Sequence, residues 1–211
     1  RLVLAVLVQP WLEPPAAAFA ALFDIQRRSL AIGDAETAGN AAAAYATLAV
    51  LRGQGLDAVD RELHTLEDTL RIFRRAPGLA IVRCYRDFLA RRMLLEGAAS
   101  PLPATLDEDP VNRIAHVHAG LLDAWLALEA KAPERALAEL ERRPARGLRD
   151  DAGVLGAQYA LLHGLATLDG ARAGTRAERS NARRRARRDA KRLRSWIARG
   201  LGGTRQKALL L

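Results

Sequence analysis

The sequence predicts an all-α fold, in which antiparallel helix pairs stack as a right-handed solenoid. Apolar residues recur at helical spacing along nearly the whole chain of 211 residues, and the alternation typical of half-buried strands is almost absent. Only 5% of the residues are aromatic, and Ala, Leu and Arg dominate. That composition favours helices over sheets, and helices rich in small residues can pack closely.

Four helices are predicted in the first part of the chain, over about 15–31, 35–52, 56–74 and 79–96. Each ends at a glycine-containing turn: Gly33-Asp34, "GQG" at 53–55, "APG" at 76–78 and Gly97. Because these turns are short, consecutive helices are expected to pack as antiparallel neighbours. The sequence therefore predicts two helix pairs within residues 15–97.

Four further helices follow the loop at 98–109, over about 110–130, 133–143, 152–168 and 174–199. Asp109-Pro110 and Pro133-Glu134 are typical helix starts, with proline in the first turn. We interpret the chain as one helical-repeat domain with a leading segment at 1–14, later helix pairs at 110–200 and the start of another helix at 201–211. Because it begins at Arg1 within an apolar run, we expect it to be a piece of a longer protein.

A weak internal repeat supports the stacked arrangement. In three places an apolar helix end and a short turn are followed by an alanine, five residues beyond the turn position. The pairs are Gly33 with Ala38, Gly53 with Ala58, and Lys131 with Ala136. Small residues where two helices cross allow their axes to approach closely. This pattern is typical of tetratricopeptide-like repeats, which bury their apolar faces only by stacking on one another.

Several motifs resemble the helical-repeat region of large bacterial signalling proteins that combine a serine/threonine kinase, an AAA/STAND-type ATPase and often a GAF/histidine-kinase output. The matching positions are Pro10-Trp11, Gly33-Asp34, Ala38, Tyr45, Gly55-Leu56, Val59 and Glu62, followed by "YALLHGLATL" at 159–168 and "RLRSWIARG" at 192–200, which contains Trp196. The "AAAA" at 41–44 departs from the family pattern. The resemblance implies a connector or sensor segment, with the ATP sites of the parent protein outside this chain.

Other patterns argue against catalysis within these 211 residues. No glycine-rich turn is followed by Lys and Ser or Thr, so the sequence has no phosphate loop, and the kinase triplets are also absent. His116 and His118 are two residues apart and point to different sides of a helix, which disfavours a shared metal ion. His163 is expected to be half-buried, and Asp107, Glu108 and Asp109 to lie in a solvated loop. We therefore expect no enzyme activity, no cofactor and no metal.

The single cysteine, Cys84, excludes a disulfide within the chain and fits a cytoplasmic location. It lies among apolar residues and is interpreted as a buried structural thiol, although Arg83 and Arg86 are close enough in sequence to lower its pKa. The longest apolar runs, 2–8 and 41–51, are shorter than the roughly 20 residues needed to cross a bilayer.

The positive charge is concentrated in one segment. Residues 171–200 hold twelve Arg or Lys against two acids, a net of +10, whereas residues 1–170 sum to −3. Within this segment an apolar stripe has helical spacing: Ala182, Ala186, Ala190, Leu193 and Ile197. The remaining arc carries the candidate interaction surface: Arg179, Arg183, Arg184, Arg187, Arg188, Lys191 and Arg194. The stripe predicts docking on the preceding helix, through Leu161, Leu165 and Leu168.

The arginine arc has several interpretations. It can face solvent, pair with acids of the chain such as Glu139, Glu141, Asp150 and Asp151, contact an acidic membrane surface, or bind an acidic partner. The favoured hypothesis is a non-catalytic segment that binds a protein partner, a regulatory ligand or flanking domains and relays conformational change. The alternative is a nucleic-acid-associated helical protein that uses residues 172–194, although no reading element accompanies the arginines.

Overall fold

The computed structural model describes residues 15–51, 55–72, 76–93, 113–142, 148 and 153–198. This part of the chain contains eight α-helices: α1 Pro15–Ala31, α2 Ala35–Leu51, α3 Leu56–Ile72, α4 Ala76–Met93, α5 Arg113–Glu129, α6 Pro133–Glu141, α7 Val154–Gly170 and α8 Arg176–Ala198. No strand occurs among the described residues. The predicted all-α class is therefore confirmed.

One predicted boundary is wrong. The "APG" at 76–78 was assigned to the turn that ends the third helix, whereas α4 begins at Ala76. Proline is tolerated in the first turn of a helix because the backbone N–H that it lacks would have no partner there. The Gly97 break, the loop at 98–109, the "GQ" at 53–54 and the segments 1–14 and 199–211 lie outside the described residues.

The described helices belong to two compact units, residues 1–119 and 120–211. In the first unit α2 contacts three other helices, α1, α3 and α4. A helix with neighbours on several sides must be apolar all round and small where axes approach. The alanine run meets this requirement, since Ala41, Ala42 and Ala43 are all buried. The alanine run of α2 is thus central to the packing of this unit.

The closest approach of α2 and α4 is between two glycines. A Cβ atom on Gly78 would lie 2.6 Å from the carbonyl oxygen of Gly39, which is too close for any side chain. A Cβ on Gly39 would meet its nearest neighbour at an ordinary 3.7 Å. Gly78 is therefore required for this crossing, and it is the position that the sequence assigned to a turn.

Two helix-to-helix turns have the same backbone geometry. Gly33 has φ of +77°, and Lys131 has φ of +58°. In the first turn the N–H of Gly33 donates to Leu30 O and that of Asp34 donates to Ser29 O. In the second, Lys131 and Ala132 donate in the same pattern to Leu128 O and Ala127 O. Both turns thus close the preceding helix with a Schellman-type pair of hydrogen bonds.

The positions that follow these turns differ in burial. Ala38 and Ala136 are completely buried, as expected for small residues at a helix crossing. The expectation for Ala58 is wrong, because its side chain is exposed. The apolar stripe of α3 runs instead through Val59, Leu63, Leu66 and Leu70, which turns Ala58 towards solvent.

In the second unit α7 is the central helix and contacts both α6 and α8. It is apolar on nearly all sides, like α2, and ten of its seventeen residues are buried. Where α7 meets α8, Ala157 and Ala160 form a core cluster with Leu193 and Trp196. The small alanines let the large indole of Trp196 lie between the two helices.

Candidate functional site

The arginine-rich helix α8 begins at a capping box. The Thr175 N–H donates to Glu178 Oε2 at 2.6 Å, and the Glu178 N–H donates to Thr175 Oγ1 at 3.3 Å. The backbone and side-chain hydrogen bonds from Thr175 lower the pKa of Glu178. These reciprocal bonds satisfy two backbone donors that a helix start otherwise leaves without partners. The start of this highly charged helix is therefore fixed locally.

The apolar stripe of α8 is buried against α7, as its spacing predicts. Four of its members are less than a tenth exposed: Ala182, Ala186, Ala190 and Leu193. The side chain of Ile197 lies outside the described residues. Because this seam anchors the helix, its charged residues are held in a fixed arrangement along the rest of the surface.

All seven residues of the predicted interaction surface are exposed: Arg179, Arg183, Arg184, Arg187, Arg188, Lys191 and Arg194. Four of them, with Arg176 and Ser180, line a shallow groove of about 500 Å³; the four are Arg179, Arg183, Arg184 and Arg187. We name these four and Arg176 the outer arginine row. Within the described residues no carboxylate forms an ion pair with the outer row.

The acids proposed as internal partners are placed elsewhere or are not described. Glu139 pairs with Arg142 at 3.1 Å. Glu141 lies with a different set of arginines, at the cavity described next. Asp150 and Asp151 fall outside the described residues. Among the described acids, the outer row therefore has no intramolecular partner.

A second set of arginines on α8 faces a cavity of about 400 Å³. Arg185, Arg188 and Arg192 line it, and their spacing of three and four residues places them on one side of the helix, away from the outer row. We name these three the inner arginine row. The other lining residues are Glu141, Tyr159, His163 and Asp189. Sequence reasoning treated the arginines as one arc and omitted Arg185 and Arg192.

At the base of this cavity lies a histidine–aspartate pair. Asp189 is buried, and its Oδ2 is 2.8 Å from Nδ1 of His163 on α7. A carboxylate only accepts hydrogen bonds, so Nδ1 carries the proton. The His163 ring stacks on Tyr159 at a centroid distance of 5.8 Å, and Arg192 approaches the other oxygen of Asp189 at 3.5 Å. The imidazole is therefore held from two sides.

The position of Asp189 in the sequence indicates that it is buried. Residue 189 is three positions after Ala186 and four before Leu193, so it falls on the apolar stripe. Glu67 of α3 likewise falls on an apolar stripe, four positions after Leu63 and three before Leu70. A carboxylate on such a stripe must be buried and therefore needs a partner. The residue that partners such a carboxylate lies on another helix, so the spacing of the stripe cannot identify it.

Glu67 is the corresponding buried acid of the first unit. Its carboxylate accepts hydrogen bonds from Arg83 at 2.9 Å, Arg86 at 2.5 Å and Arg71 at 2.7 Å. Burial alone would raise the pKa of Glu67, but the hydrogen bonds from Arg83 and Arg86 and the charge of Arg71 hold it below the ordinary value. Arg83 and Arg86, which are close to Cys84 in sequence, therefore donate hydrogen bonds to Glu67.

Cys84 is buried, as predicted, and its Sγ contacts the carbonyl oxygen of Ala115 at 3.9 Å. The next residue, Tyr85, is also buried, and its hydroxyl is 2.9 Å from Nδ1 of His118 on α5. Burial lowers the pKa of His118 to about 4 and raises that of Tyr85. His118 is therefore neutral at pH 7 and forms part of the core.

Of the predicted packing aromatics, Tyr45 is buried against Phe19 at a ring-centroid distance of 5.3 Å with an edge-on geometry, and Trp196 lies in the core between α7 and α8. Trp11 lies outside the described residues. Among the residues that the structure describes, no group of three or more His, Cys, Asp or Glu could hold a metal ion. None of the described helices is long and apolar enough to span a membrane.

The chain was compared with family models, curated proteins and solved structures, and none of them matches.

Proposed function

We propose that this chain is a non-catalytic helical interaction segment of a larger cytoplasmic regulator, and that the outer arginine row of α8 binds an acidic protein segment. Under this proposal the helices form a tetratricopeptide-like stack, and the kinase and ATPase modules of the resembling signalling proteins lie elsewhere in the parent chain. Binding at α8 would relay a conformational change by favouring one packing of the helices over another.

The observation that carries the proposal is the exposure of the outer row on an anchored helix. Five arginines share one groove, and the described acids leave them without ion pairs. Guanidinium groups are weakly hydrated and bind carboxylates bidentately, so such a row favours Asp- or Glu-rich partners. Because the apolar seam fixes α8 on α7, little backbone conformational entropy remains to be lost on binding.

The second candidate is binding of duplex nucleic acid through residues 172–194, for which a row of cations along one helix is also suitable. The two candidates can be separated by the salt dependence of the binding affinity and by competition between an acidic peptide and duplex DNA. Each phosphate contact adds about 0.9 to the slope of log affinity against log salt on duplex DNA. Apart from Ser180 the outer groove is lined by arginines, which contact phosphates and can also contact guanine edges.

Fluorescence anisotropy with two labelled probes tests the proposal. One probe is a glutamate-rich peptide of roughly 23 residues, which as a helix matches the roughly 35 Å length of α8; the other is a duplex of similar length. We expect saturable peptide binding at physiological salt. The double substitution Arg183→Gln/Arg187→Gln should weaken it about tenfold, because two charge-assisted contacts are lost.

The matched control is Arg185→Gln/Arg188→Gln, which removes the same charge from the inner row of the same helix. Peptide affinity should change less than about twofold in this variant, because the inner row lies outside the groove. Equal weakening by both variants would show a general charge effect and contradict the proposal. Tighter binding of the duplex than of the peptide would favour the nucleic-acid candidate.

A further inference from the structure

The inner arginine row contains two cations, Arg185 and Arg188, that the described acids leave without ion pairs. Both side chains are exposed. They are three residues apart on one helix, at a spacing where like charges repel. Arg192 follows four residues later and lines the same cavity. Three guanidinium groups thus converge on one space of about 400 Å³.

The carboxylates of the cavity do not neutralise this row. Asp189 is already bound by His163 at 2.8 Å and approached by Arg192 at 3.5 Å. Glu141 is exposed on α6. Three arginines against two carboxylates leave a surplus of positive charge even when His163 is neutral. An anion placed between Arg185 and Arg188 would relieve their repulsion and gain hydrogen bonds from both.

We propose that this cavity binds a small phosphorylated molecule through its phosphoryl group, with the inner arginine row as the anion-binding wall and His163 as a further donor. A phosphoryl group has three terminal oxygens and carries between one and two negative charges at neutral pH, so it can serve several guanidinium groups at once. A carboxylate offers only two oxygens and one charge.

The size and polarity of the cavity fit this ligand class. Its volume lies within the range of about 300–1,000 Å³ that is usual for small-molecule sites. It is several times larger than a phosphate ion, so it has room for an organic portion beside the anion. Tyr159 and His163 stack on one wall and offer an aromatic surface for that portion. The remaining lining is charged, which disfavours an apolar ligand.

The aspartate–histidine pair supports the same arrangement. Because Nδ1 of His163 donates to Asp189, the other ring nitrogen is the one that can gain a proton. With Nδ1 donating to Asp189, His163 can donate to a phosphoryl oxygen only through a protonated Nε2. The proposal does not rest on the proposed partner binding, since it uses a different face of α8.

Isothermal titration with inorganic phosphate and with glucose 6-phosphate, at constant ionic strength, tests the inference. Both ligands should bind saturably, and the sugar phosphate should bind more tightly if the organic portion also contacts the wall. Arg185→Gln/Arg188→Gln should weaken both affinities about tenfold or more, because two charge-assisted hydrogen-bond groups are lost. Both residues are exposed, so these substitutions leave the core unchanged.

Two control variants test whether phosphate binding is specific to the inner row and depends on the charge at the cavity. Arg183→Gln/Arg187→Gln, in the outer row, should change the phosphate affinity less than about twofold, since these residues lie on another side of the helix. Glu141→Gln should tighten binding, because it removes the exposed negative charge at the cavity. Nuclear magnetic resonance of the His163 ring should show a ligand-dependent shift that the outer-row variant retains.

Three outcomes would overturn the inference: no saturable phosphate binding by the wild-type chain at ~10 mM, a concentration that populates even millimolar sites; equal weakening by the inner and outer variants; or no change with Glu141→Gln. Failure of this experiment leaves peptide binding by the outer row unaffected, and failure of peptide binding leaves this experiment unaffected, so the two proposals are separately testable.

Discussion

The two units of the chain differ in the surroundings of their buried carboxylates, Glu67 and Asp189. In the first unit the Glu67 carboxylate pairs with three arginines, and the hydroxyl of Tyr85 is hydrogen-bonded to His118, so these buried groups have partners within the protein. In the second unit Asp189 also has partners, but it lies at a cavity where Arg185 and Arg188 form no ion pair with any described acid.

This difference separates structural from binding chemistry. A buried carboxylate surrounded by arginines joins helices, and its removal is felt as lost stability. A buried carboxylate that orients a histidine near arginines without ion pairs is suited to preorganise an anion-binding site. The same residue types therefore have different expected roles, and the following predictions compare them from the largest effect to the smallest.

The largest effect is expected from pH acting on His118. Its pKa is about 4 in the folded protein, against about 6.5 when unfolded. A lowered histidine pKa means that the unfolded chain takes up the proton first, so stability is complete above pH 6.5 and falls as the pH decreases to 4. The shift corresponds to about 3 kcal/mol, measurable by urea unfolding across this range.

The control for this prediction is His118→Asn, whose amide oxygen can accept from Tyr85 but cannot be protonated. The variant should lose less stability than the wild type between pH 6.5 and 4. If the free energy of unfolding of the two proteins depended identically on pH, water would have to reach His118. The histidine would then not be buried in the first unit.

Glu67→Gln tests the arginine cluster and should cost about 2 kcal/mol at pH 7, because charge-assisted hydrogen bonds to a buried carboxylate are replaced by neutral ones. The pKa of Glu67 is lowered by folding, so its contribution is present above the ordinary glutamate pKa and is lost as the pH falls through the lower folded value. The stability gap between wild type and variant should therefore shrink below about pH 4.5 in urea unfolding series.

Asp189→Asn is the matched change in the second unit and should cost less, about 1 kcal/mol at pH 7, because fewer charged donors are lost. Its Oδ2 accepts from one imidazole, and Arg192 lies at 3.5 Å from the other oxygen. A cost equal to or greater than that of Glu67→Gln, measured in the same urea series, would remove the contrast between the two carboxylates.

The smallest effects are expected at the two matching turns, and they should have opposite signs. Lys131→Gly should stabilise the second unit by about 0.5–1 kcal/mol, because a side chain at positive φ is strained. Gly33→Ala should destabilise the first unit by about 0.5–1 kcal/mol for the same reason, although no atom blocks its Cβ. Thermal unfolding would measure both, and shifts of equal sign would contradict the shared geometry.

Much of the helical framework follows from the sequence, since the predicted bounds of the first helix and the seam of α8 agree with the structure. The start of α4 was missed because proline and glycine usually mark turns, whereas Gly78 is required by a crossing with a helix distant in sequence. Lys131 could be assigned to a turn only from its place in the internal repeat, since a lysine alone gives no such signal.

The candidate site was predicted in part. Helical spacing identified the exposed arginines, because exposure depends on the helix that carries them. It did not separate Arg185, Arg188 and Arg192 from the outer row, because that division depends on where α6 and α7 lie beside α8. Asp189 was missed because charged residues are usually assumed to be solvated, although its position on the stripe indicates burial.

The central position of α2 has a consequence for folding kinetics. Its three main partners, α1, α3 and α4, all lie within residues 15–93, so these contacts join segments close together in the chain. Short loops cost little entropy to close, and helical proteins with such local contacts fold quickly. We expect α1, α3 and α4 to pack on this alanine-rich helix early in folding. This packing can occur once residue 93 has left the ribosome, before the arginine-rich helix has been synthesised.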